Sequence, residues 1–206
     1  MRTENGVRVS RLGHRPGGEP SQRVCQILAA AVRVFGAGGP HGLTHRAVAA
    51  EASVSPGLTT YYFKDRQDLI YQAAEFAFRV EEQRLWDCVD GLTFPLSTDE
   101  CVAVLTEMFF DKTVADPLYD ITLFEMFLEA TRNPRVRELT RHWTDLILEL
   151  TDLVLPPTDP TIPRDEMVQI VAALVDGLML EETSNETLGL EGLAGHLRHV
   201  IDRFVI

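Results

Sequence analysis

From residue 21 onward, apolar residues recur at intervals of three and four, the period of an amphipathic helix and not the alternation of a strand. Val24, Ile27, Leu28, Ala31, Val34 and Phe35 form the first such line, with Ser21 placed to cap it and Gly36, Gly38, Gly39 and Pro40 to stop it. Thr44 is positioned to cap a short second helix reaching about Ala52. Ser55 and Pro56 open a third, because a proline's missing N–H costs nothing at the first helical position. Asp65 caps a long fourth helix to about Asp90, with Leu69, Ile70, Ala73, Phe76, Ala77 and Val80 along one side. Past a break at 91–98, the spacing predicts helices over about 99–115, 117–132, 134–155, 164–184 and 190–205. The breaks between them fall at Asp116-Pro117, at Asn133-Pro134, in the proline-rich stretch 156–163 and at 185–189. The expected fold is all-α, with about nine helices. Residues 1–20 carry Gly, Pro and Arg with no period and read as a flexible basic tail.

Composition agrees with a folded chain. Of 206 residues, 45% are hydrophobic and 24% charged, which excludes wholesale disorder. No apolar run approaches the roughly 18 to 20 residues that span a bilayer, and the N-terminus lacks a secretory apolar stretch. A soluble cytoplasmic protein without a membrane partner is expected. Cys25, Cys88 and Cys101 are odd in number and far apart, so they are expected as reduced core residues.

Charge changes the picture more. The net charge of −12 argues against nucleic acid until its distribution is examined. Residues 1–66 hold nine cations (Arg2, Arg8, Arg11, Arg15, Arg23, Arg33, Arg46, Lys64, Arg66) and four anions, a net of +5 that leaves −17 for the remainder. A basic end on an acidic body suits a small DNA-contacting head, since Lys and Arg near a duplex displace its counterions.

The stretch 43–70, LTHRAVAAEASVSPGLTTYYFKDRQDLI, carries the function. A short capped helix, a three-residue turn and a second short helix form a helix-turn-helix, whose second helix enters the major groove. Val48, Ala49, Val54, Leu58 and Phe63 are the apolar contacts expected to fix the angle between the two, and small Ala49 and Ala52 permit close approach. The ordered set of Ile-Leu-x-Ala-Ala at 27–31, Leu43-Thr44, Val48-Ala49-x-x-Ala52, Val54-Ser55-x-Gly57 and Tyr61-Tyr62-Phe63 before Lys64 resembles the TetR family of transcriptional regulators. The resemblance covers about 21–75; it implies that the remaining two thirds is a helical ligand-binding and dimerisation part. Two positions depart from the family pattern. Ser53 stands where the turn usually has glycine, and Thr60 replaces the first of the recognition-helix tyrosines.

The candidate DNA-binding residues are Thr44, His45, Arg46, Ser55, Pro56, Gly57, Thr60, Tyr61, Lys64 and Arg66. The Thr44 hydroxyl and the helix start beside it suit a phosphate oxygen, and Arg46 is long enough for a base edge or the backbone. If Leu58 and Phe63 are buried, Ser55, Pro56, Gly57, Thr60 and Tyr61 face the groove. Gly57 then admits a close backbone, Thr60 offers its methyl to thymine and Tyr61 hydrogen-bonds phosphate. Lys64 and Arg66 flank the start of the fourth helix, and the resemblance implies a phosphate contact at Arg66, where the family usually has lysine. Arg2, Arg8, Arg11 and Arg15 of the tail are candidates for an adjacent minor groove.

A short recognition helix reads few base pairs, so a homodimer on a double-stranded DNA operator is expected. Met167, Ile170, Leu174, Gly177 and Leu178 on one of the last two helices, with Leu193, Leu197 and Ile201 on the other, are the candidate dimer interface; the resemblance implies a four-helix bundle across a two-fold axis. Met108, Phe109, Phe110, Phe124, Glu125, Phe127, His142 and Trp143 are the candidate ligand-binding residues for a small-molecule effector. Glu125 and Glu129, one turn apart, are placed to meet a cationic ligand, and Glu129 is equally suited to a surface pair with Arg132. His196 and His199 lack a third ligand, so neither a metal nor another cofactor is expected, and no phosphate loop or nucleophile motif points to an enzyme. The expected organisation is a tail at 1–20, a DNA-binding domain at 21–66 and a ligand-binding and dimerisation domain at 67–206. The expected function is a ligand-responsive repressor. A DNA-binding organiser without an effector, and a helical small-molecule-binding or catalytic domain, are the alternatives.

Overall fold

The computed structural model describes residues 21–110 and 117–205. The basic tail, the end of the stretch 99–115 and Asp116 of the Asp116-Pro117 break lie outside them. Among the described residues the chain forms nine helices: α1 (Gln22–Gly42), α2 (His45–Glu51), α3 (Pro56–Tyr62), α4 (Arg66–Val89), α5 (Thr98–Phe110), α6 (Pro117–Ala130), α7 (Pro134–Val154), α8 (Arg164–Asn185) and α9 (Gly189–Ile201). None is long and apolar enough to cross a membrane.

The chain divides into two compact units, and α4 and α7 each contribute to both. The first unit holds the described residues up to 83 together with 117–143. In it α1 buries Ile27, Leu28, Ala31 and Phe35 of the line that its spacing predicts, while Val24 and Val34 are half-buried. The glycines do not stop this helix at Gly36. It runs on to a kink at Gly39, whose φ of +58° breaks the helical geometry before Pro40. Gly36 has a packing task instead: a Cβ there would overlap the Leu118 carbonyl oxygen of α6 and stand 2.9 Å from Thr122 Oγ1. The buried Thr122 hydroxyl donates to the Val32 carbonyl at 2.9 Å, tying the two helices at that closest approach.

Contacts of rising number, the first from Asn133 just before α7, show α4 and α7 running parallel in this unit. Asn133 Nδ2 donates to Gln67 Oε1 at 2.9 Å, the Arg135 guanidinium lies 4.0 Å over the Tyr71 ring, and the Phe78 and Trp143 rings sit 5.2 Å apart.

The second unit holds residues 84–110 and 144–205 of those described. Its α5 begins with a reciprocal cap. The Ser97 hydroxyl accepts from Glu100 N–H while Glu100 Oε2 accepts from Ser97 N–H at 2.8 Å and from its hydroxyl at 2.7 Å. Those bonds, the hydroxyl one first, hold the Glu100 carboxyl below its ordinary range. The cap therefore contributes above that range and is lost as pH falls through the lowered value.

The proline-rich stretch after α7 is held by Arg164. Its Nε donates to Asp152 Oδ1 at 2.6 Å, and its terminal nitrogens donate to the carbonyls of Asp152, Leu155 and Pro156. These are carbonyls that the end of a helix leaves without partners. Arg164→Ala is expected to lower unfolding free energy by about 2 kcal/mol, read from the urea midpoint, since several charge-assisted bonds go at once.

One boundary differs from the sequence-based expectation at the C-terminal end. The last helix stops at Ile201, so Phe204 is not part of its apolar line; its carbonyl accepts from Asp159 N–H at 2.8 Å, and Val205 makes an isolated antiparallel bridge with Thr158. Of the cysteines, Cys101 is buried while Cys25 and Cys88 are half-buried, so only the first is a full core residue. Burial pushes the Cys101 thiol up to about 12, with the Arg164 charge opposing. The folded chain therefore keeps this thiol neutral well above pH 9, and stability falls in that range as the unfolded thiol ionises.

Candidate nucleic-acid interface

The head is assembled by short-range caps. The Thr44 hydroxyl accepts from Ala47 N–H at 3.1 Å, starting α2. After Glu51 the chain turns through four residues, 52–55, one more than the sequence suggests. Ser53 takes up φ +53°, the left-handed conformation that its family-glycine position requires. The cost to a residue with a Cβ is about 1 kcal/mol, and the turn offsets it with bonds from Ser53 and Val54 N–H to the carbonyls of Ala50 and Ala49. From α1, Gln26 Nε2 donates to the Ala52 carbonyl at 3.1 Å.

Helix α3 starts at Pro56 without a side-chain cap from Ser55. Its angle to α2 is fixed by buried Val48, Ala49 and Phe63, half-buried Val54 and Leu58, and a residue that the apolar pattern does not reveal. Thr59 is fully buried, its hydroxyl 2.8 Å from the Pro56 carbonyl and 3.3 Å from the His45 carbonyl of α2. Only its place next to the exposed Thr60 on a helix of known phase could have signalled it. Thr59→Val is expected to cost about 1 to 2 kcal/mol and to speed hydrogen exchange in α2 and α3 selectively, as measured by mass spectrometry. At the far side, Asp65 Oδ1 accepts from Asp68 N–H at 2.9 Å, and Asp68 Oδ2 from Lys64 N–H at 3.1 Å, setting the start of α4.

These constraints leave one face of α3 open. Ser55, Pro56, Gly57, Thr60 and Tyr61 are exposed, with Tyr61 at 79%. Nothing lies within 4 Å of where a Gly57 Cβ would stand. The Tyr61 ring meets Tyr62 edge-on at 5.1 Å. Thr44, Arg46 and Lys64 are exposed beside this face, and His45 is half-buried with its Nδ1 buried and lacking a hydrogen-bond partner. The acid of α2, Glu51, is paired with Arg33 at 2.8 Å.

Arg66 departs from the expected role. Its Nε donates to the Leu43 carbonyl at 3.1 Å and a terminal nitrogen donates to the Pro40 carbonyl. The guanidinium is thus spent on the chain between α1 and α2. The physical reason is the end of α1 at Gly42, which leaves the carbonyls there without helical partners. Where a phosphate contact was expected, the structure has a clamp on the segment that leads into the Thr44 cap.

The candidate effector residues fall in both units. In the second, Met108, Phe109 and Phe110 are buried on α5. In the first, Trp143 is buried against Phe78, Phe124 is half-buried, and Glu125 is half-buried with its carboxylate 3.6 Å from where a Gly39 Cβ would stand. His142 has a buried Nε2 without a hydrogen-bond partner. Phe127 is 39% exposed and faces outward, which does not suit an enclosed pocket wall. Glu129 is buried and paired with Arg132 at 3.6 Å.

The candidate dimer residues also separate. Met167, Leu178, Leu193, Leu197 and Ile201 are buried within the chain, so they serve its own core and are not available to a second copy. Ile170 and Gly177 are exposed and Leu174 is half-exposed, and Ala173 and Leu180 extend their line along α8. On α8 the apolar period alone does not separate the face in the core from the open one, because both carry apolar residues.

A model of the family described as bacterial regulatory proteins, tetR family, matches residues 27–73, and one described as tetracyclin repressor-like, C-terminal domain, matches residues 96–205. The HTH-type transcriptional regulator HbdR of Aromatoleum sp. (strain CIB) is 33% identical over 75 residues, which are 36% of this chain and 33% of that protein. The chain thus matches only a third of the length of that curated relative. Among solved structures, the multidrug binding protein EbrR complexed with imidazole is 29% identical with a TM-score of 0.62, over 91% of this chain and 97% of that one. A putative transcriptional regulator from Saccharomonospora viridis in complex with choline has a TM-score of 0.75 at 19% identity, over 89% of this chain and 97% of that one, a likeness of fold.

Proposed function

The chain belongs to the tetR family of bacterial regulatory proteins, and from that premise we propose that it is a homodimeric repressor, released from a palindromic operator by a small-molecule effector. The family is one of DNA-binding regulators, not of enzymes. The observation that carries the proposal is the exposed face of α3, kept clear by the buried Thr59 and Phe63 while Arg46, Tyr61 and Lys64 stand open around it. A head of residues 21–66 supplies DNA contacts from Thr44, His45, Arg46, Ser55, Pro56, Gly57, Thr60, Tyr61 and Lys64; residues 67–206 supply the effector site and dimerisation.

Support for a second copy comes from α8. Ile170, Ala173, Gly177 and Leu180 form a line of apolar and small residues on its outer side, of the kind two copies bury against each other across a two-fold axis. Support for an effector comes from EbrR, solved with imidazole, proflavin and ethidium; the corresponding reading here is a basic nitrogen compound. Its binding favours a spacing of the two heads that no longer fits successive major grooves, and operator affinity falls by its differential affinity for the two states.

The test is selection from genomic fragments by the purified full chain. Enriched fragments are expected to share an inverted repeat, and imidazole, the basic nitrogen compound bound in one EbrR structure, is expected to release the chain from it. No shared repeat among the fragments would overturn the DNA reading; retention of operator affinity at saturating imidazole, with binding to the chain shown independently, would overturn that effector class.

A further inference from the structure

We infer that α3 reads thymine through the methyl group of Thr60, so that each operator half-site carries a thymine whose 5-methyl group the chain requires. The inference rests on the DNA reading above and adds what is recognised. Within Pro56–Tyr62, PGLTTYY, there is no arginine, lysine, asparagine, glutamine or carboxylate. The paired donors and acceptors by which side chains recognise guanine or adenine in the major groove are therefore absent from this helix. Beside single hydroxyl contacts, the base feature this helix is suited to is the one apolar group on the groove floor, the thymine methyl.

Thr60 has the chemistry to meet it. Its hydroxyl donates back to the Gly57 carbonyl at 3.0 Å, with the Pro56 carbonyl at 3.5 Å. The hydroxyl proton is spent inside the helix, while the side chain is exposed, so the branch offered to the groove is the methyl. Gly57, one turn earlier on the same face, adds no side chain, and Pro56 adds an apolar ring without an N–H. The groove floor can therefore come close to the Thr60 methyl. The neighbouring Thr59 shows the contrast: its hydroxyl is also bonded inward, but the residue is fully buried.

The experiment uses the full chain and an operator selected from random duplexes. Each thymine is replaced in turn by deoxyuracil, which lacks only the methyl, symmetrically in both half-sites. At one position the loss is expected to be roughly sixteenfold, because both half-sites change and one buried methyl gives a ratio of about four. Thr60→Ser, which keeps the hydroxyl, is expected to abolish the difference between thymine and uracil at that position; Thr60→Val is expected to retain it. If every uracil-containing operator binds like its parent, or if the penalty survives Thr60→Ser undiminished, the inference is overturned while the DNA reading stands. If no sequence is enriched at all, both fall.

Discussion

Gly36→Ala is expected to lower the unfolding free energy by about 3 kcal/mol, near the upper end of what overpacking costs. The added Cβ would overlap the Leu118 carbonyl oxygen, which is backbone and cannot swing aside, and would crowd Thr122 Oγ1 at 2.9 Å. Relief requires α1 and α6 to separate, which stretches the Thr122 to Val32 hydrogen bond. Two residues further on, Gly38 has nothing within 4 Å of its would-be Cβ. Gly38→Ala is therefore expected to be neutral or to stabilise by about 0.5 to 1 kcal/mol, through a less flexible unfolded chain. Urea unfolding of the two variants beside the parent measures both; equal effects at the two positions would contradict the packing role of Gly36.

This pair shows where the sequence was legible. The period of Ile27, Leu28, Ala31 and Phe35 announced α1, because burial on one side of a helix has a phase that composition exposes. The glycines after it read as a stop because local propensity treats every glycine alike. Whether a glycine ends a helix or admits another backbone is decided by a residue some 80 positions away, here Leu118, and no local pattern contains that partner. The end of α9 has the same cause: Phe204 fits the apolar period, but a bridge from Val205 to the distant Thr158 takes the chain out of the helix.

The second large effect concerns function. The double variant Arg46→Ala, Tyr61→Ala is expected to weaken operator binding by at least about 100-fold while leaving the fold and its unfolding midpoint unchanged. Both side chains are exposed, and neither is used by the packing of α2 on α3. A specific arginine contact contributes about 1 to 3 kcal/mol, and a two-fold complex loses each contact twice. Titration of a labelled operator, with circular dichroism on the same samples, separates loss of contact from loss of structure.

Within the candidate interface, residue type and helix phase were enough to place Ser55, Pro56, Gly57, Thr60 and Tyr61 on one open face. They were not enough for Arg66. A basic residue at the start of α4 looks like a phosphate ligand from sequence, but the fold brings it against the carbonyls of Pro40 and Leu43, which the end of α1 leaves without helical partners. The α8 line was half legible for a related reason: Leu178 and Gly177 are adjacent in sequence, yet one is in the core and one is open.

Hydroxyl-radical footprinting of the chain on its selected operator puts the whole account at risk in a single gel. Two equal protected patches are expected, related by the symmetry of the repeat and centred about 34 Å apart along the duplex or a multiple of that distance, as paired recognition helices in successive major grooves require. A single patch, or protection that spreads evenly and ignores the repeat, would show that the open face of α3 does not read DNA as one of a pair.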